Sequence, residues 1–195
     1  MTVAGALTVL AALLGPVGSA FSGTVSGRVS CTGLRSNADA VVYIEKIAGK
    51  TFKAPVKHAT MDQRAKEFIP RILPVLVGTT VDFPNADPFL HNVFTPDECA
   101  DKFNVGTLAK GEVRSHTFTQ PCAAVMLCKV HAEMSAYVVA VETPYFAVTN
   151  AEGAYTITDV PDGTYQLSVW HERLKKQTRE VTVGAATTAD FTLKR

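Results

Sequence analysis

The chain has 195 residues, which at about 150 residues per domain is one large domain or two small ones. With 19 basic against 18 acidic residues its formal net charge is +1, a balance that excludes a basic nucleic-acid-binding protein and an acidic disordered tail. The hydrophobic fraction of 47 % supplies a buried core, and ten Phe, five Tyr and many Val and Thr favour strands. No period or repeated long apolar run supports a collagen, a coiled coil or a multi-span membrane protein.

Residues 2–20 carry no charge, and the first charged side chain is Arg28. An apolar stretch from Val3 to Leu14 stops at Gly15-Pro16, and Gly18-Ser19-Ala20 gives small residues before Phe21. This pattern predicts a signal peptide over residues 1–20 and a periplasmic or secreted protein. Membrane attachment follows only if the segment stays uncleaved. Pro16 interrupts a run already shorter than the ~20 apolar residues that span a bilayer.

Strand signals then dominate. Gly23 to Ser30 alternates as GTVSGRVS, and Ala40 to Glu45 (AVVYIE) is strongly apolar and β-branched. Met61 to Phe68 (MDQRAKEF) is the best helix candidate, or else a loop leading into a strand. Ile72 to Val77 and Thr79 to Phe83 flank Gly78, Leu90 to Phe94 follows the polar punctuation PNADP, and Glu112 to Thr119 alternates. Ala123 to Cys128 (AAVMLC) is apolar on both faces, which predicts a strand covered on both sides, and Ala136 to Val141 is a further strand. After Pro144 come short strands at Ala147 to Thr149, Tyr155 to Ile157, Tyr165 to Trp170, Glu180 to Val183 and Thr188 to Leu193, with turns at NAEG and PDG between them. About ten short strands joined by such turns make an all-β sandwich assembly.

Four cysteines, Cys31, Cys99, Cys122 and Cys128, are consistent with two disulfides, or with one disulfide, a metal ligand and a leftover thiol. The run Cys128-Lys-Val-His131-Ala-Glu-Met134 is C-x2-H-x2-M at the end of an apolar strand. Cys, His and Met together suit copper, and a short loop after a strand can turn all three side chains towards one ion. His91, in the strand run DPFLHNVF, is the candidate fourth ligand, brought close by neighbouring strands. His58, His116 and His171 are scattered and are read as surface or core histidines.

The stretches VGTTVDFPNADPFLHNVF, GEVRSHTFTQP and VMLCKVHAEMSAYVVAVE resemble the cupredoxins, the blue-copper Greek-key β-sandwich family of plastocyanin and amicyanin. The resemblance implies one type 1 copper per chain, bound by His91, Cys128 and His131 in a plane with Met134 axial, and Asn92 tying the ligand loops together. Glu133 competes for the axial place, and Ala132 stands where the family commonly has proline. Cys99 and Cys122 lie where the family needs no cysteine and are read as a disulfide tying the Asp97–Asp101 loop to the strand before Cys128, which leaves Cys31 unpaired. TNAEGAYTITDVPDGTYQLSVW resembles the carboxypeptidase regulatory-like fold, a small β-sandwich that opens with G-x-V-x-G-x-V, here at Gly23 to Val29. The expected organisation is therefore a signal peptide at 1–20, opening strands of the second sandwich at 21–50, a copper domain at 51–142 and the rest of the second sandwich at 143–195. A copper domain with its own first strand at Val41–Glu45, followed by a separate C-terminal module, is the competing partition.

The resemblance implies a single-electron carrier rather than an enzyme, meeting transient redox protein partners over a rim of Phe89, Leu90 and Ala132. The alternative is a copper chaperone, storage or surface-binding protein without an electron-transfer role.

Overall fold

The computed structural model describes residues 22–195, so the predicted signal peptide lies outside the described residues. Among the described residues, regular structure is strand apart from one 3-10 turn at Glu98–Ala100. The first strands are β1 (Ser22–Cys31), β2 (Val41–Ile44), β3 (Ala59–Thr60), β4 (Asp62–Arg64), β5 (Glu67–Ile69) and β6 (Ile72–Leu76). Next come β7 (Thr80–Pro84), β8 (His91–Phe94), β9 (Asn104–Leu108), β10 (Val113–Thr117), β11 (Cys122–Leu127) and β12 (Ser135–Val141). The chain ends with β13 (Phe146–Val148), β14 (Ala154–Pro161), β15 (Gly163–His171), β16 (Leu174–Val183), β17 (Ala186–Thr188) and β18 (Phe191–Leu193).

Alternation within these strands builds two sandwiches. In one, the sheet β14-β1-β17, with β18 also on β1, faces the sheet β13-β2-β15-β16. Val25, Val29, Ile157 and Leu193 of the first meet Val42, Ile44, Leu167 and Val169 of the second in a dry core. In the other, β10-β7-β3 faces β6-β12-β11-β8-β9, and Val81 and Phe83 pack against Ala124, Met126, Ala136 and Val138. Strands β1 and β2 thus share their sheets with β13–β18, while β3 and β6–β12 form the other pair and β4 pairs with β5 in a hairpin. The crossing points lie side by side: the Thr143 hydroxyl donates to the Ile44 carbonyl at 2.6 Å, and the Ile44 amide donates to the Tyr145 carbonyl at 3.0 Å.

A third apolar cluster joins the sandwiches back to back. Val41, Tyr43 and Trp170 on the outer face of one sheet meet Ile72, Tyr137, Val139 and Val141 on the outer face of the other. Burying each of its valines and isoleucines contributes up to about 1.5–3 kcal/mol. The two middle sheets are covered on both sides there, which is why AVVYIE and SAYVVAV lack a polar face. The run AAVMLC differs from the expectation: in β11, Cys122, Ala124 and Met126 are buried, whereas Ala123, Val125 and Leu127 are only half-buried.

The run Met61 to Phe68 is neither helix nor plain loop. It folds into the β4–β5 hairpin, pairing Asp62 with Ile69 and Gln63 with Phe68. Buried Gln63 and Phe68 alternate with half-buried or exposed neighbours, which is strand periodicity, and Ala65 and Lys66 turn the chain at φ 53° and 60°. Glycine is required at points where β1 runs against other backbone. A Cβ on Gly27 would lie 2.1 Å from the Ala189 carbonyl oxygen, and one on Gly153, which sits at φ +79°, 2.1 Å from that of Val29.

Candidate metal centre

β11 and β12 pair through Leu127 and Ser135, so residues 128–134 form the loop of a hairpin. Cys128 and Met134 stand at its base and His131 near its tip, where the Met134 amide donates to the His131 carbonyl at 3.1 Å. The C-x2-H-x2-M spacing thus follows from the turn. β8 lies beside β11, pairing through Phe94 and Leu127, and carries His91 to the same end. The donor atoms of His91, Cys128 and His131 lie within 4.8 Å of one another, close enough to form a metal site. Among the described residues this is the one such grouping of three His, Cys, Asp or Glu side chains.

His91 is fully buried, and its Nε2 meets Asp87 Oδ2 at 2.8 Å. A carboxylate only accepts, so Nε2 carries the proton, and in the neutral ring Nδ1 then keeps the lone pair. That Nδ1 faces His131 Nδ1 at 3.1 Å, with the ring planes at 61°. Two imidazole nitrogens turned on one space beside a buried free thiol are a donor set that fits a soft or borderline metal such as copper. Cys128 Sγ accepts the Asn92 backbone N–H at 3.4 Å. The Asn92 side chain donates to Asn104 Oδ1 at 2.8 Å and to the Gly106 carbonyl at 2.7 Å, fixing β8 to β9 behind the site. Met134 is buried in the same core cluster as Cys128, whereas Glu133 points to solvent.

The frame reaches beyond the residues that the sequence singled out. Asn85 accepts the Asp87 amide on Oδ1 and donates from Nδ2 to the carbonyls of Phe89 and Leu108, shaping the loop that leads into His91. Asp87 also accepts the Ala65 amide at 2.8 Å and the Lys66 amide at 2.9 Å. Burial alone would raise the Asp87 carboxyl, but the Lys66 amide, His91 and the Ala65 amide outweigh it and hold it below the usual carboxylate range. Sequence reading took PNADP as punctuation. The available signal was an Asp four residues before a candidate ligand His.

His58 pairs with Asp82 at 2.9 Å, His116 stacks on Phe103 at 3.9 Å between ring centres, and His171 accepts the Arg173 amide, so none of the three joins the centre. Burial lowers the pKa of His116 and of His171. Cys99 and Cys122 form a disulfide with Cα atoms 5.5 Å apart, tying the 3-10 turn to β11. Cys31 is a free buried thiol in the other sandwich, packed as a small apolar side chain with its pKa raised by desolvation. At the surface over the centre, Phe89 is 43 % and Leu90 53 % exposed, and Ala132 is exposed beside half-buried His131.

A carboxypeptidase regulatory-like domain family matches residues 131–194, a span that begins in the ligand loop and leaves out β1 and β2. No curated protein matches the chain. Solved structures similar to part of it include a purple cupredoxin from Nitrosopumilus maritimus, 25 % identical over 42 % of this chain and 98 % of that one, with a TM-score of 0.39. A reduced amicyanin mutant is 22 % identical over 51 % of this chain and 97 % of that one, at 0.42. A copper-containing nitrite reductase from Thermus scotoductus is 24 % identical over 59 % of this chain and 28 % of that one, at 0.43.

Proposed function

We propose that the chain is an exported type 1 copper protein that carries single electrons and is not an enzyme, with one ion held by His91, Cys128 and His131 and Met134 as fourth ligand. The observation that carries this reading is the approach of two imidazole Nδ1 atoms and the Cys128 sulfur to within 4.8 Å of one another at one end of a sandwich. Copper held there would supply a one-electron couple between Cu(I) and Cu(II). The chain's own residues supply the rigidity that such a couple needs. Asp87 fixes the orientation and tautomer of His91, and the Asn92 amide holds the Cys128 sulfur, so the donors stay in place when charge changes. Burial of Met134 and exposure of Glu133 favour the thioether over the carboxylate.

Half-buried His131 gives a short route from the centre to the surface, and Phe89, Leu90 and Ala132 around it offer an apolar rim to a transient redox protein. A net charge of +1 provides little long-range steering. The apolar segment at 1–20 and the Cys99–Cys122 disulfide support an oxidising, periplasmic or secreted location. The partition into 21–50 with 143–195 around 51–142 is supported by the sheets that β1 and β2 enter.

Titration of the chain with Cu(II), followed by visible absorption and EPR, tests the reading beside Cys128→Ser. The expected result is an intense thiolate-to-copper band that saturates at one equivalent and is absent from the variant. A colourless protein, or a band that survives loss of Cys128, overturns it. Copper that loads but does not cycle reversibly at an electrode points instead to storage or delivery.

A further inference from the structure

The β4–β5 hairpin ends against the metal centre, although the sequence places its tip 25 residues before His91. At that tip Ala65 and Lys66 both adopt the left-handed region, at φ 53° and 60°. Each costs about 1 kcal/mol or more in this region, and natural two-residue turns of this kind prefer Asn and Gly. The conformation aims two successive amides at one buried carboxylate: Ala65 N–H donates to Asp87 Oδ1 at 2.8 Å and Lys66 N–H to Oδ2 at 2.9 Å. Oδ2 also accepts His91 Nε2–H at 2.8 Å. The hairpin is stitched on further down, where the Ala86 amide donates to the Gln63 carbonyl at 2.9 Å and Gln63 Nε2 to the Pro84 carbonyl at 3.1 Å. Lys66 Nζ lies 5.4 Å from the centre of the Phe89 ring at the rim.

We infer that Asp87 is a positioning residue through which the hairpin tip holds His91: the two tip amides fix the carboxylate, and the carboxylate fixes the tautomer and place of the ring. With both tip amides bound, the carboxylate shares its charge among three donors. Without them, it pulls harder on the Nε2 proton and makes the imidazole a more electron-rich donor. The hairpin therefore sets the electronic character of a ligand through the carboxylate that lies between them. The redox consequence rests on the copper reading above, whereas the positioning itself does not.

The test uses the full chain, metal-free and copper-loaded, in three forms: wild type, Asp87→Asn, and an insertion of two glycines between Ala65 and Lys66. Nitrogen-15 NMR of metal-free wild type is expected to show His91 as a single Nε2–H tautomer and slow exchange of the Ala65 and Lys66 amides. Asp87→Asn and the insertion each speed that exchange, and each changes the His91 nitrogen signals. In the copper-loaded chain, loss of the carboxylate charge in Asp87→Asn raises the reduction potential, while the insertion, which leaves that charge less shared, lowers it. Opposite shifts separate this role from general loosening, which moves both the same way. An insertion that leaves the His91 signals as in wild type overturns the proposal, as do mixed tautomers in wild type. A wild type with no thiolate band refutes the copper reading alone, because the NMR measurements still decide the positioning.

Discussion

Asn92 and Cys128 are joined by a single backbone contact: the Asn92 N–H points at the sulfur from 3.4 Å while its side chain grips Asn104 and Gly106 on the next strand. The residue that follows one candidate ligand thus supports another. In Asn92→Ala the amide survives but the two side-chain hydrogen bonds are lost, each worth about 1 kcal/mol. Part of that loss is offset because Asn92 Oδ1 is itself buried without a partner. A net destabilisation of about 1–2 kcal/mol in a thermal melt is expected, together with a broader copper–thiolate band.

The disulfide closes a segment with a sequence separation of 23. Replacing Cys99 and Cys122 together by Ser releases that constraint on the unfolded chain and should cost about 3 kcal/mol in a denaturant melt. The local geometry has a second support, since the Val125 amide donates to Asp97 Oδ2 at 2.7 Å. The end that holds His91, Cys128 and His131 should accordingly stay intact in the double variant, as judged by an unchanged stoichiometry of copper uptake.

Gly27→Ala puts a methyl group where the Ala189 carbonyl oxygen lies, 2.1 Å from the new carbon. The nearest obstructing atoms are backbone, so β1 must move away from its C-terminal neighbours and forfeit the Ala189 amide's hydrogen bond to the Ser26 carbonyl, 2.8 Å long. A loss of about 2–3 kcal/mol is expected, at the upper end of ordinary single substitutions. A calorimetric scan should show it as a lowered Tm.

Glu45 gives a pH dependence. The Lys176 hydrogen bond holds its carboxyl below the usual range against partial burial, with help from Ser168, the Lys176 charge and Thr178. A carboxyl lowered in the folded state adds stability that is present above its unfolded pKa and is lost as pH falls through the folded value. Wild type should therefore exceed Glu45→Gln in Tm at pH 7, and the gap should close as the solution is acidified below about pH 4. A gap that stays constant to pH 3 would assign the effect to packing.

Much of the site was legible because it is local. Cys128, His131 and Met134 sit on one hairpin loop, and a turn of fixed length converts their spacing directly into proximity. His91 was legible as a histidine in an apolar strand. For Asp87 and Asn85 only the spacing of Asp87 to His91 was a local signal, because their partners at Ala65, Lys66 and Leu108 belong to segments remote in sequence. The hairpin itself was hidden for a related reason: Ala65-Lys66 carries no turn signature, and its conformation is supported from outside by the Asp87 carboxylate. β9 escaped because its residues are mostly exposed and Gly106 interrupts them at φ +82°. In β16 only Glu180 to Val183 was read as strand, since Lys175 to Arg179 are polar and carry no buried side chain to mark an alternation.

The neighbouring crossing points at Ile44 and Thr143–Tyr145 have a mechanical consequence. Tension applied between the two ends of the described chain enters at β1 and leaves at β18, which lie parallel and register Val29 with Phe191. Those strands are loaded in shear, so their ladder must break in concert rather than peel bond by bond. Strands β3–β12 hang from the crossing points and carry no load until the outer sandwich has given way. Stretching such a molecule should extend it in two steps, with the end that holds His91, Cys128 and His131 the last to open.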